Sequence, residues 1–209
     1  MKQTITPLLI FATLFTLLLS CDADSTPNIK ASTRAKISKD KEKTTPAPKA
    51  TLPFYSKQGG FSIVFPNPPK EHKHTTTSEI GQIELTQYIY GKDDTHAWVA
   101  SFSDYPERMI QLGNKEQLLK GIKHRILEDL RASTLSEEKI KLENKYDGLS
   151  FVAKAKKKDL NISYKIFLVK NRVYQLSMYS SIAPIEAKDS TVFFGSFKLI
   201  KEGADKEPS

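Results

Sequence analysis

The 209-residue chain carries one thiol, at Cys21, and the position of that thiol decides what it can do. It closes an apolar run over residues 7–19 and follows the small Ser20. With no second cysteine in the sequence, it has no intramolecular disulfide partner in any redox compartment. Lys2 ahead of the run, the run itself and a small residue at its end are the three parts of a secretory signal, which sets cleavage between Ser20 and Cys21. At about 1.5 Å of rise per residue the run reaches only about 20 Å, short of the roughly 30 Å of a hydrocarbon core. It reads as a signal and not as a span. A thiol at that junction has no core to pack into, so its chemistry and not its packing is its interest.

Few other residues have the types and spacing that chemistry needs. The sequence holds no Gly-x-Ser-x-Gly elbow, no phosphate-cradling glycine loop and no His-Glu-x-x-His. His72 and His74 stand two apart, which in an extended segment points both to one side, where they can hold a metal together with Glu71 or Glu79. The lysines and threonines around them favour a solvated loop instead. His96 and His124 read as surface residues. Asp93 and Asp94, beside Gly91, fall short of the six or so oxygens that a calcium site needs and read as a turn. Asp104-Tyr105-Pro106 lies where a strand gives way to a helix, a place where pockets form, yet a proline stop and a packed tyrosine explain it. Asn161-Ile162-Ser163 matches a glycosylation sequon by chance. Tyr88, Trp98 and Phe102 are the candidates to line a ligand pocket between sheet and helix. No metal site, cofactor or catalytic residue is expected, and the domain is read as non-enzymatic.

The most suggestive surface feature is the basic cluster Lys154, Lys156, Lys157 and Lys158. It is a candidate contact for anionic lipid, an acidic polymer or an acidic envelope protein. Against that stands a simpler role, a solvated sheet edge whose lysines discourage strand-to-strand aggregation. Residues 51–200 carry a net charge of +5 without the aromatic platforms of single-strand binders, so nucleic acid is not an expected partner.

The elements that must position these residues follow from periodicity. A strand over 60–65 is stopped by Pro66, Pro68 and Pro69. Residues 80–90 and 96–103 form a hairpin across the turn at 91–94. Beyond Pro106 the period changes, and Leu118, Leu119, Ile122, Ile126, Leu127 and Leu130 fall on one helical face, with Asn114 as N-cap, Gln117 three residues on and Gly121 the weak point. Strands are expected at 139–144, 149–156, 162–169 and 172–179, the last two joined by a tight turn at Lys170-Asn171. Alternation of Tyr164, Ile166 and Leu168 with Phe167 and Val169 leaves no polar face, so both faces of the sheet are covered at least in part. A second helix from about 184 to 194 supplies a cover, and residues 197–199 return to the sheet.

Composition divides the chain. Residues 1–20 are the signal. Residues 21–50 are rich in Lys, Thr and Pro, with a net charge of +3 over 22–50 and Ile29 and Ile37 their only large apolar residues, a stretch unable to offset the entropy of ordering. Disorder is expected there, with a coil reach of about 30 Å. Its lysines either meet anionic headgroups, at about 1 kcal/mol each, or keep the linker soluble. Residues 51–200 make one domain, and the polar tail 201–209 frays.

Two resemblances follow from these residues. Leu18-Leu19-Ser20-Cys21 resembles the lipobox of bacterial lipoproteins. That implies a diacylglycerol thioether on Cys21 as mature N-terminus, two or three palmitate-type acyl chains, and anchoring through Cys21 to the cell membrane or outer membrane with the domain outside the cytoplasm. One chain binds marginally, whereas two or three hold for the protein's lifetime. Asp22 resembles an inner-membrane retention signal of enteric bacteria. The order of Gly60-Phe61-Ser62, the Tyr88 and Trp98 strand pair, the long helix, Asn171-Arg172-Val173-Tyr174-Gln175-Leu176 and the closing Phe193-Phe194-Gly195-Ser196-Phe197-Lys198-Leu199 resembles the PsbP-like domains. That likeness implies an α+β fold, a single α-β-α sandwich with a central antiparallel sheet and at least two helices. It brings no catalytic motif, and the ion-retention residues of the photosystem II member have no counterpart to transfer. The expected role is a non-catalytic envelope lipoprotein that binds or helps assemble another component. The alternatives are a small-ligand carrier and, behind it, a hydrolase without a recognised motif.

Overall fold

The computed structural model describes residues 52–78, 81–92, 95–156 and 159–200. The signal, Cys21, the linker and the tail lie outside the described residues, as do Glu79, Asp93, Asp94, Lys157 and Lys158. In chain order the elements are β1 (Phe54–Ser56), β2 (Phe61–Ile63), β3 (Lys70–Ser78), β4 (Gly81–Lys92), β5 (His96–Asp104), α1 (Glu107–Leu112) and α2 (Lys115–Leu130). There follow β6 (Ser133–Leu142), β7 (Tyr146–Ala155), β8 (Leu160–Val169), β9 (Arg172–Ser180), α3 (Ala187–Gly195) and β10 (Lys198–Leu199). The protein is a mixed α/β fold dominated by antiparallel sheet, with three helices among the described residues.

Seven strands in the order β3-β4-β5-β9-β8-β7-β6 form the main sheet, and β1-β2-β10 form a small one. The main sheet is two meanders, β3-β4-β5 and β6-β7-β8-β9, joined where β5 pairs antiparallel with β9 from His96↔Ser180 to Asp104↔Arg172. Helices α1 and α2 make the connection between the meanders. Because side chains alternate along a strand, each face of the sheet builds its own core. On one face Ile162, Tyr164, Ile166 and Leu168 of β8 meet Leu119, Ile122, Ile126 and Leu130 of α2. On the other, Phe167 of β8 and Tyr174, Leu176 and Met178 of β9 meet Phe61 and Ile63 of the small sheet and Phe193 and Phe194 of α3.

Helix α2 starts and stops as its sequence dictates. Asn114 Oδ1 accepts the Gln117 backbone N–H at 3.1 Å, satisfying one of the amides that a helix start leaves open. It ends at Arg131, whose φ of 50° is left-handed, with the Ala132 N–H closing on the Leu127 carbonyl at 2.8 Å.

The small sheet is held to the large one through Phe61. Its ring is fully buried and meets Tyr88, Phe102, Tyr174 and Phe197 at centroid separations of 6.0, 6.4, 5.9 and 5.3 Å. The turn before it needs Gly60, which adopts φ +66° and donates its N–H to the Ser56 carbonyl at 2.8 Å. Arg172 fixes that turn from the main sheet. Its Nε and Nη2 each lie 2.6 Å from an oxygen of Asp104, its Nη1 donates to the carbonyls of Gln58 and Gly59 at 2.9 and 3.0 Å, and its guanidinium sits 4.7 Å from the Phe102 ring centre. The Tyr174 hydroxyl donates to the Gly59 carbonyl at 2.7 Å.

Several elements depart from the sequence expectations. The segment holding His72 and His74 is a nine-residue strand and not a loop. Strand β1 and the short helix α1 were not expected. The strand expected at 139–144 begins six residues earlier, at Ser133, and ends at Leu142. Residues 198–199 do not rejoin the main sheet, because Lys198 and Leu199 pair with Ser62 and Phe61 of β2.

Two substitutions test this account. Phe61→Ala is expected to cost about 3–5 kcal/mol in urea unfolding, against less than about 0.5 kcal/mol for Tyr55→Ala on the neighbouring exposed position. Gly121 sits mid-helix, and a Cβ there meets nothing within 4 Å, so Gly121→Ala is expected to stabilise by about 0.4–1 kcal/mol in the same measurement.

Candidate functional site

A concave surface lies where α2 runs beside β6 and β7. Two hollows of about 400 and 470 Å³ open there. The first is lined by Lys120, Lys123, His124, Leu127 and Glu137. The second is framed by Glu116, Lys120, Lys139, Lys141 and Asp147 over an apolar floor that includes Leu119, Ile140 and Leu149. Helical spacing produces this arrangement, since the residues flanking the buried stripe of α2 are charged and face the charged outer strand.

Each lysine of the second hollow is matched by a carboxylate. Glu116 reaches Lys120 at 2.8 Å and Lys139 at 3.0 Å, and Lys141 reaches Asp147 at 2.9 Å. In the first, Lys123 pairs with Glu137, and His124 lies 3.3 Å from Glu128. Hydrogen bonding to Lys120, then to Lys139, brings the Glu116 carboxyl down from 4.5 to about 2. Lys141 lowers Asp147 in the same way, and Glu116 raises Lys120. The result is a strip of alternating charge over an apolar floor. It suits recognition of a polar surface by exchange of ion-pair partners, and it presents no unpaired nucleophile beside a base.

The sheet edges are the second exposed feature. Every one of the first seven residues of β6 is exposed, Leu135 among them, at a break in the β6–β7 register between Thr134 and Ser136. At the opposite edge, Glu71, His72, Lys73, His74 and Thr75 of β3 are exposed.

The residues singled out by sequence fall in different places. Tyr88, Trp98 and Phe102 are only 5, 5 and 4% exposed and line neither of the two hollows. Phe54 and Phe61 pack on Tyr88, Phe61 on Phe102, and Tyr90 and His96 on Trp98, so the space between sheet and cover is filled with rings. Lys154 and Lys156 do not guard an edge: β7 lies inside the sheet, between β6 and β8. Lys154 is tied to Asp159 at 2.8 Å, and Lys156 follows the end of the strand. Lys157 and Lys158, like Ser20 and Cys21, lie outside the described residues. His96 is half-buried and not on the surface. Its Nδ1 pairs with the Thr95 hydroxyl at 2.9 Å and its Nε2 with the Ser180 hydroxyl at 3.3 Å. Tyr105 is buried, which pushes its hydroxyl up to about 12, and Asp104 is the partner of Arg172. Asn161 donates to the Ser180 and Ala183 carbonyls.

Sequence reasoning missed the α2–β6 strip. The i, i+4 pair Glu116–Lys120 was the available signal, whereas Lys139 and Glu137 join it only through tertiary packing.

No family model matches the chain, and no curated protein matches it. Among solved structures it aligns with PA94 of Pseudomonas aeruginosa, a protein of unknown function, at 6% identity and a TM-score of 0.29, over 62% of this chain and 82% of that one.

The electrostatics of Glu116 carry a pH prediction. A carboxyl lowered in the fold stabilises it above its ordinary value of 4.5, and that contribution is lost as the pH falls towards about 2. Glu116→Gln is expected to lower the melting temperature at pH 7 by about two degrees or less, since exposed pairs contribute little. Circular-dichroism melts are expected to show that gap narrowing between about pH 5 and pH 3.

Proposed function

We propose that this protein is a lipid-anchored envelope lipoprotein, held at the membrane through Cys21, whose folded domain is a non-catalytic binding or assembly module of PsbP-like, α-β-α sandwich layout. The Leu18-Leu19-Ser20-Cys21 sequence supports the anchor. Among the described residues no helix is long and apolar enough to cross a membrane. The layout is supported by α2 covering one face of the sheet while α3 and the small sheet cover the other.

The observation that carries the binding role is the contrast between interior and edge. The aromatic interior around Tyr88, Trp98 and Phe102 is packed with rings, while β6 is exposed along its first seven residues. An exposed edge of this kind accepts an added strand from a partner. The charged strip on α2 lies beside it and gives such a partner orientation.

Mass spectrometry of the protein extracted from membranes is expected to find a mature N-terminus at Cys21 bearing a diacylglycerol thioether. Cys21→Ala is expected to leave the chain unprocessed. A free thiol in the aqueous fraction removes the anchor from this account. For the binding role, crosslinking in intact membranes is expected to enrich one envelope protein, and Leu135→Asp on β6 is expected to abolish that enrichment. Retention in the variant rules out the β6 edge.

A further inference from the structure

We propose that His72 and His74 form half of a site for a zinc-class divalent metal, completed by the same two residues of a second copy of this chain paired along β3. This proposal stands without the lipid anchor and concerns the opposite edge of the sheet from β6. His72 and His74 lie two apart on a regular strand, in register with Gln87 and Leu85 of β4, and both are exposed. Alternation puts the two imidazoles on one face, with backbone positions about 6.6 Å apart along the strand, a spacing from which two rings converge on one ion.

The described residues do not finish the site alone. Zinc takes four donors, and alternation sends Glu71 to the other face of the sheet. Beside His72 and His74 the register supplies a neutral amide and an apolar side chain, and among the described residues no group of three or more metal-donor side chains gathers anywhere.

A second copy supplies what is missing because this edge is complementary to itself. β3 ends the sheet, with β4 its neighbour on one side only. In an antiparallel pairing with the symmetry axis at His72, Glu71 of each copy stands opposite Lys73 of the other, twice over. Within one chain Lys73 Nζ donates to Gln58 Oε1 at 2.8 Å and reaches Glu71 at 3.4 Å, with the Lys73 and Glu71 side chains about half exposed, so the ion pair can exchange partners without burying a charge. The same register sets the two His72 side chains directly opposite, about 5 Å apart at Cβ, with a His74 diagonal to each. Lys70, which falls opposite His74, is long enough to turn its ammonium away into water. The four imidazoles of the two copies are then offered to one ion, the donor type that suits zinc, copper and nickel.

The test uses the full chain, purified without a polyhistidine tag, titrated with zinc chloride and followed by calorimetry and light-scattering mass. One zinc per two chains is expected, together with a doubling of mass. His72→Asn/His74→Asn is expected to lose both while melting as the wild type does. Glu71→Lys alone is expected to weaken the zinc-driven doubling at least tenfold, and Glu71→Lys/Lys73→Glu to restore it. Absence of zinc uptake, uptake without doubling, or doubling that survives loss of both histidines overturns the proposal.

Discussion

Two sheets of unequal size share one core here, and the fully buried ring of Phe61 lies at its centre. Phe61 touches Tyr88, Phe102 and Tyr174 on three strands of the main sheet and Phe197 just ahead of β10, so three strands and the approach to a fourth converge on one buried side chain. The contact is apolar and tolerates little shift at interior packing density. Direction comes from polar neighbours. Arg172 grips Asp104 through two hydrogen bonds and the Gln58–Gly59 carbonyls through two more, and Ser56 Oγ pairs with the Tyr88 hydroxyl at 2.9 Å. A planar fork suits this task where the point charge of lysine would not. Burial of the rings supplies the affinity between the sheets, and the guanidinium supplies their register.

The opposite face follows a different rule. There α2 packs on β7 and β8 with four aliphatic side chains, and its flanks carry charges that meet those of β6. That face also holds Tyr164, whose buried hydroxyl donates to Gln175 Oε1 at 2.8 Å, and burial pushes that hydroxyl well above its ordinary range. A hydroxyl kept neutral and bonded inside an aliphatic core specifies alignment between β8 and β9 more than it adds stability.

What could be read from the sequence was what the hydrophobic pattern encodes. The period of Leu119, Ile122, Ile126 and Leu130 gave α2, and Asn114 gave its start, because a helix half in and half out of a core advertises both. β4, β5, β8 and β9 were legible for the same reason. β3 was not, since its exposed residues from Glu71 to Thr75 leave no alternation to read and the strand is held by backbone pairing to β4. β1 was obscure because a three-residue strand draws its stability from a sheet that only tertiary structure assembles, and for the return at 197–199 the strand was legible but its partner, β2 and not the main sheet, was not. Tyr88, Trp98 and Phe102 were placed in a pocket because composition shows that aromatic residues cluster but not whether the space between them is filled. Phe54 and Phe61 fill it. The groove beside α2 escaped notice because Glu116 and Lys139 are 23 positions apart and meet only once β6 has folded back along the helix.

The small sheet has a mechanical meaning. Its outermost member, β1, is three residues long, pairs with β2 alone and opens the described part of the chain. A pull transmitted from the residues ahead of position 52 therefore reaches this short ladder before any strand of the large sheet. Bonds drawn off an end one after another yield at far lower force than a long ladder sheared all at once. Under such a pull β1, held by three residue pairs and by the contacts of Phe54 and Ser56 with Tyr88, would part ahead of the nine- and ten-residue ladders of the seven-stranded sheet.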